Sequence, residues 1–358
     1  MAQRTEPRSE APPLVSGDEE LARDLVRTQS LSKYFVMHRP APVIVRAVDD
    51  VSLSVPQGQS VGLVGESGCG KTTLGRLILR LLEPSYGRVF FRGLDITQYH
   101  ERDLRPLRRH MQILFEDATA SLNGRLSVKD CVAEPLRIHR LTRDAKQEAE
   151  RVAALLARVG LPREIGERRP STLSQGQNQL VCIARALALD PAFIVCDEAF
   201  HAMDGPLVAQ LVGLMQALQA DNGLSYLFIS HDLRLVLALT QRVHVMYAGR
   251  IVESAGASEI ARHSLHPYTR ALFSAVPSRD PKRRRLRLLL EGEPPSAFDP
   301  PTGCAFHPRC PRARPGQCDR EAPPLAELAA HDVSGSGAND DSEGSGGSHR
   351  VACWFPHV

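Results

Sequence analysis

The sequence has no long apolar run, no marked excess of one charge, no paired CxxC spacing and no internal repeat. Each absence removes a class of protein. Stretches such as VSLSVPQGQSVGLV are too short and too interrupted to span a bilayer. There are 44 Lys and Arg against 41 Asp and Glu, a net charge of +3, so no bulk field argues for nucleic acid. The opening MAQRTEPRSEAPPLVSGDEE lacks the apolar core of a secretory signal. The expectation is a chain that folds in the cytoplasm, with its eight cysteines starting as thiols. What is present, 358 residues at 42% hydrophobic and 24% charged, is the make-up of a soluble globular protein with one large domain or two modest ones.

Residues 1–26 are polar, Pro-containing and mixed in charge, and are expected to form a disordered tail. From Arg27 to Pro277 apolar runs alternate with helical periodicity, an α/β pattern. SVGLVG, AFIVCDE and LSYLFISHD read as buried parallel strands, each ending in polar residues. TRDAKQEAERVAALLARVGL reads as an amphipathic helix with Thr142 as N-cap and Gly160 as its stop. Beyond Pro277 the composition shifts to a basic KRRRLR, a Pro-rich stretch, a cluster of Cys304, Cys310, Cys318 and Cys353, and a low-complexity SGSGANDDSEGSGGS that reads as a flexible loop. KRRRLR is read first as a solvated lead into the tail and second as a contact for acidic lipid or a partner. Cys69, Cys131, Cys182 and Cys196 sit singly among apolar residues and read as small buried hydrophobes.

GESGCGKTT, residues 65–73, follows the strand SVGLV and fits G-x-x-x-x-G-K-[ST]. Gly65, Gly68 and Gly70 permit the tight path that aims backbone N–H groups at phosphate oxygens, with Glu66, Ser67 and Cys69 between them. The following helix adds its N-terminal dipole. Lys71 reaches the β and γ phosphates, Thr72 ligates Mg²⁺, and Thr73 completes the run. FIVCDE supplies a second element: Asp197 at the strand end holds Mg²⁺ through water, and Glu198 polarises the attacking water. An ordinary strand-end acidic pair is the competing reading, and it loses weight beside a phosphate loop in the same chain.

LSQGQNQLVCIARAL, residues 173–187, resembles the LSGGQ signature and helix of ATP-binding cassette proteins. Ser174, Gly176 and Gln177 would form a second anion-binding helix terminus. In that family it closes on the γ-phosphate bound by the opposite subunit, so the resemblance implies a dimer with composite sites. ISHDL puts His231 where the family's switch histidine contacts the γ-phosphate, and HAMD, ending at Asp204, resembles the loop that crosses the dimer interface. SLSKYF resembles the strand whose aromatic stacks on adenine. Spacing from Lys33 favours Phe35 over Tyr34, with core packing of either ring as the competing reading. The resemblance covers residues 28–275. It implies a P-loop ATP-binding cassette fold, α/β, with a RecA-like core, an antiparallel β subdomain and a helical subdomain over about 117–172. The expected domains are therefore a tail at 1–26, a cassette at 27–277 and a small cysteine-rich C-terminal extension at 278–358.

SLNGRLSV, HPYTRALFSAVP, LEGEPPS and GCAFHPRCPRARPGQCDREAPPL look like the ATPase subunits of dipeptide and oligopeptide importers. That family's four-cysteine tail is associated with an iron–sulfur cluster. Four thiolates suit a [4Fe–4S] cluster or tetrahedral Zn²⁺, and the lack of CxxC hairpins favours the cluster, in a structural role. Three positions and one stretch depart from the family pattern: Gln175 for glycine, Asn178 for arginine, Glu116 for the glutamine that reaches Mg²⁺ and the attacking water, and AFHAMD for PTSALD. Glu116 is read as a Mg²⁺-side ligand, because Glu198 already holds the position of the base. Lys71, Thr72, Asp197, Glu198 and His231 are retained, so hydrolysis is expected in this chain's own half-site. The signature it donates to a partner is the weaker half.

The resemblance implies an ATP-hydrolysing subunit, peripheral on the cytoplasmic face of the inner membrane. Its partners would be two transmembrane permease subunits and a second cassette ATPase, a heterodimer being favoured over a homodimer. A solute-binding protein would act indirectly, and nucleic acid would not be a partner. The alternatives are a soluble cassette ATPase of translation or DNA repair, and a regulatory subunit that binds nucleotide without turnover. The first of these usually has two cassettes or a long coiled-coil insertion, and neither is present.

Overall fold

The computed structural model describes residues 24–38, 42–201, 203, 205–275, 288, 290–327 and 348–357. Two sheets form. The first is antiparallel, with β1 (Asp24–His38) paired to β2 (Pro42–Val51), β3 (Ser54–Pro56) and β5 (Tyr86–Phe91), and β5 paired to β6 (Leu94–Asp95). Strand pairing starts at Asp24, so residues 24–26 are strand and not tail: Val26 pairs with Phe91 and is buried. Residues 1–23 lie outside the described residues.

The second sheet runs in the order β12 (Ala326–Glu327), β13 (Arg350–Val351), β11 (Arg250–Gly256), β10 (Arg242–Tyr247), β4 (Ser60–Val64), β9 (Ser225–Ile229), β8 (Phe193–Asp197) and β7 (Met111–Leu114). Its parallel centre is β4, β7, β8, β9 and β10. β4, β8 and β9, the three runs read as buried parallel strands, are buried at every position. That is the pattern of parallel strands covered on both faces.

Helices complete the layers: α1 (Lys71–Ile78), α2 (Glu101–Arg108), α3 (Ala118–Ser121), α4 (Val128–Ile138), α5 (Ala145–Arg158), α6 (Gln175–Leu187), α7 (Gly205–Asn222), α8 (Leu233–Leu239), α9 (Ala257–Arg262) and α10 (Pro267–Ser274). Val132, Leu136, Leu156 and Ile183 share one core, so α6 packs as part of the helical unit that sequence placed at 117–172. The N-cap of α5 falls two residues later than its Thr142 reading, at Asp144. The Asp144 carboxylate accepts from the Gln147 N–H at 2.8 Å and caps it. Gly160, at φ +79°, ends the helix as expected. Cys69, Cys131, Cys182 and Cys196 are all buried.

The C-terminal segment is bonded to the cassette. β12 (Ala326–Glu327) and β13 (Arg350–Val351) extend the parallel sheet through β11 (Arg250–Gly256), with Val351 opposite Glu253. Phe306, between the first two cysteines of the tail, is buried against Tyr247 at 5.3 Å, Tyr268 at 5.5 Å and His266 at 5.6 Å. Burying one such ring stabilises the attachment by about 1.5–3 kcal/mol. KRRRLR, and the low-complexity loop up to residue 347, lie outside the described residues.

His349 fixes the other end of the tail and gives it a pH dependence. Glu253 is 0% exposed and accepts from the Leu265 N–H at 2.7 Å, the His266 N–H at 2.9 Å and His349 Nε2 at 2.8 Å. His349 Nδ1 lies 3.0 Å from Glu259 Oε1, so both ring nitrogens face carboxylates. Burial is the largest single influence on His349 and opposes its charge, but Glu253 and Glu259 together outweigh it and raise its pKa above the ordinary 6.5. A raised histidine contributes its full stability below the unfolded value of 6.5, and that stability is lost as pH rises through the folded value. Thermal unfolding from pH 6 to 9 should therefore show a decline above 6.5 that His349→Gln flattens. A variant with the same pH profile as the native chain would contradict this.

Candidate functional site

Four neighbouring parallel strands deliver their carboxyl ends to one edge of the sheet, where ligands bind in open α/β folds. β4 leads into residues 65–73, β9 to His231, β8 to Asp197 and Glu198, and β7 to Glu116. The phosphate loop is shaped by close approach. A Cβ at Gly65 would lie 2.2 Å from the Met246 carbonyl oxygen, and one at Gly70 would lie 2.1 Å from that of Ala47, so only glycine fits either position. Ser67 and Gly68 are exposed at the loop's crown, while Cys69 is buried, which pushes its thiol pKa up.

Lys71, buried at the loop's base, donates to the Gly65 and Glu66 carbonyl oxygens at 2.9 and 3.0 Å. Thr72 Oγ1 donates to Asp197 Oδ1 at 2.9 Å, and Thr73 beside it is half-buried. A hydroxyl and a carboxylate meeting in this way are hard oxygen donors suited to Mg²⁺. Burial raises the Asp197 pKa despite the Thr72 hydrogen bond and the nearby Arg76. A bound dication would oppose that shift by favouring the carboxylate.

Glu198 sits at φ +51°, a left-handed conformation uncommon outside glycine, and its N–H donates to the Ile229 carbonyl oxygen at 2.9 Å. This turn brings Glu198 Oε2 to 2.9 Å from His231 Nδ1. The His201 ring packs on His231 at 4.8 Å, a neighbour that sequence reasoning missed although AFHAMD marked the departure. Glu116 is exposed and makes no hydrogen bond to Thr72 or Asp197, so the structure brings it to the same sheet edge but not into the Thr72–Asp197 pair. Its neighbour Asp117 caps α3, accepting from the Ala120 N–H at 2.9 Å.

The two aromatics of SLSKYF separate clearly. Tyr34 donates to Asp49 Oδ1 at 2.5 Å and packs on Tyr86 at 5.7 Å, while Phe35 is 37% exposed with the Lys33 ammonium 5.2 Å from its ring. Phe35 is the more exposed of the two rings. In the signature, Ser174 and Gln177 form a reciprocal capping box: the Ser174 hydroxyl accepts from the Gln177 N–H at 3.2 Å, and the Gln177 side chain accepts from the Ser174 N–H at 3.1 Å. Gly176 is buried, and a Cβ there would lie 2.1 Å from Leu207. Asn178, where arginine was expected, instead ties the helix down by donating to the Pro170 carbonyl oxygen at 3.1 Å. Asp204 lies outside the described residues.

In the tail, Cys304, Cys310, Cys318 and Cys353 line one recess with Phe306, Trp354 and Phe355. Burial raises the thiol pKa of Cys304 and Cys310, and pushes that of Cys353 up to about 11. Among the described residues no group of three or more His, Cys, Asp or Glu side chains is placed to hold a single metal ion. No described helix is long and apolar enough to cross a membrane.

The sheet edge, the phosphate loop, the Asp–Glu strand end and the capped signature helix define a P-loop ATPase of the cassette class. The ABC transporter family matches residues 48–201, and the family "Oligopeptide/dipeptide transporter, C-terminal region" matches residues 252–318. A probable peptide ABC transporter ATP-binding protein, y4tS, of Sinorhizobium fredii is 45% identical over 85% of this chain and 87% of its own length. The oligopeptide transport ATP-binding protein OppF of Escherichia coli is 43% identical over 82% and 88%. The ATP-binding cassette MJ0796, solved as a dimer bound to ADP and Pi, superposes with a TM-score of 0.59 at 25% identity, over 65% of this chain and 98% of that one. The chain belongs to the ATP-binding subunits of the oligopeptide/dipeptide family of ABC transporters, and it is an ABC ATPase.

Proposed function

We propose that this chain hydrolyses ATP to drive import of peptides through separate permease subunits, as a peripheral protein on the cytoplasmic face of the membrane. The observation that carries the reading is the convergence of Thr72 with Asp197 and of Glu198 with His231 at the edge where the phosphate loop opens. Lys71 and the loop N–H groups hold the β and γ phosphates. Thr72 and Asp197 hold Mg²⁺, which when bound offsets phosphate charge. Glu198 orients a water for in-line attack on the γ-phosphorus. The new P–O bond forms as the bond to the β-phosphate oxygen breaks, leaving ADP and phosphate. His231, fixed by Glu198, faces the γ-phosphate, and Phe35 stacks on adenine. Ser174, Gly176 and Gln177 meet the partner's nucleotide, with Asp204 at the interface.

Glu116 is the Mg²⁺-side residue whose carboxylate changes the timing of hydrolysis. Glu116→Gln should alter the steady-state ATPase rate and its Mg²⁺ dependence in the assembled complex; an unchanged rate at every Mg²⁺ concentration would make Glu116 a bystander.

The domain plan that accompanies this reading is a cassette followed by a cysteine-rich extension. The four tail cysteines suit a [4Fe–4S] cluster, which when bound would cross-link the loop-rich segment. Four thiols lining one recess are what supports this reading. Buried thiols with raised pKa values must lose their protons on ligation, so assembly should be favoured by higher pH. Anaerobic affinity purification of the tagged chain from its own membranes tests the assembly. Two permeases, a second and different cassette ATPase, and about four irons per chain are expected. Recovery of a homodimer without permeases, or of zinc in place of iron, would contradict it.

A further inference from the structure

The cysteine segment reaches into the ATP site. Arg309, beside Cys310, extends its guanidinium to Glu66, the second residue of the phosphate loop and 243 positions away in sequence. Nη1 donates to Glu66 Oε2 at 2.8 Å and Nη2 donates to Oε1 at 3.1 Å, a two-pronged pair. The same Nη1 donates to Tyr247 Oη at 3.2 Å, and Nε donates to the Glu291 carbonyl oxygen at 3.3 Å. The Arg309 side chain is 6% exposed and that of Glu66 25%, so the pair is shielded from solvent. A second tie runs through the backbone: the Glu66 N–H donates to Tyr268 Oη at 2.8 Å. Tyr247 and Tyr268 are the rings that grip Phe306, three residues before Arg309.

A carboxylate in a loop that must accept a polyphosphate is electrostatically adverse. Arg309 neutralises that charge and holds the side chain toward the tail. We propose that Arg309 is a positioning residue for the ATP site, keeping Glu66, and through it the phosphate loop, in the arrangement that accepts nucleotide. The cysteine-bearing tail is thereby part of the ATPase and not only an attachment. This rests on reading residues 65–73 as the ATP site.

The test uses the full chain, a fluorescent ATP analogue and thermal unfolding. Arg309→Met should weaken nucleotide binding about tenfold, or about 1.4 kcal/mol, with Arg309→Lys recovering part of the loss. In a Glu66→Gln background, Arg309→Met should cost much less, because the charge it answers is gone. In the assembled complex the effect should fall on KM for ATP more than on kcat. Should Arg309→Met unfold the tail, Arg309→Lys and the double variant still decide. A loss of thermal stability with unchanged nucleotide affinity, or equal costs of Arg309→Met in both backgrounds, would overturn the proposal. A native chain that binds no ATP would instead overturn the reading of residues 65–73.

Discussion

Glu198→Gln should abolish ATP turnover while ATP still binds. The substitution keeps the shape of the side chain, and the amide oxygen can still face His231 Nδ1, now 2.9 Å from Glu198 Oε2. The amide cannot accept the proton that leaves the attacking water, so the general-base contribution of about 10²–10⁴ in rate is lost. Nothing in the loop at residues 65–73 is touched, so nucleotide affinity should hold. Phosphate release and fluorescent-nucleotide binding, measured side by side, separate the two effects. A Glu198→Gln protein that turns over ATP at more than about a tenth of the native rate would show that another group acts as base.

Lys71→Ala should fail one step earlier, at binding. The ammonium is buried and donates to the Gly65 and Glu66 carbonyl oxygens at 2.9 and 3.0 Å, so it closes the loop as well as supplying charge. Triphosphate must take over those donors, and without them it meets carbonyl oxygens in place of a cation. Losing one partner of a buried charged hydrogen-bonded pair costs about 2–5 kcal/mol, about thirtyfold or more in affinity. The same nucleotide titration measures it, and native-like affinity would remove Lys71 from the site.

The parts of the site that sequence made legible are those written in one short stretch. Gly65 and Gly70 stand within a few residues of Lys71 in a recognisable spacing, although the backbones that require them are those of Met246 and Ala47, and the strand before them is buried throughout. Local signals at helix ends were ambiguous: Thr142 and Asp144 are both good caps, and the carboxylate that reaches the Gln147 N–H takes the position. Asn178 is a departure in sequence and a tether in structure, because its amide finds the Pro170 carbonyl oxygen. The Arg309–Glu66 pair was not legible. Each residue is unremarkable in its own segment, and long-range contacts such as the pairing of β13 on β11 and the burial of Phe306 bring the segments together. The Glu66 carboxylate inside a loop built to accept phosphates was the one signal available.

On this reading the chain's own nucleotide site powers peptide movement across a membrane. Uptake of a labelled peptide into vesicles carrying the two permeases, the second ATPase and this chain, with the solute-binding protein outside and ATP inside, tests it most directly. Uptake should need ATP and fall to background with Glu198→Gln in this chain alone. Uptake that continues at the native rate with Glu198→Gln would contradict it.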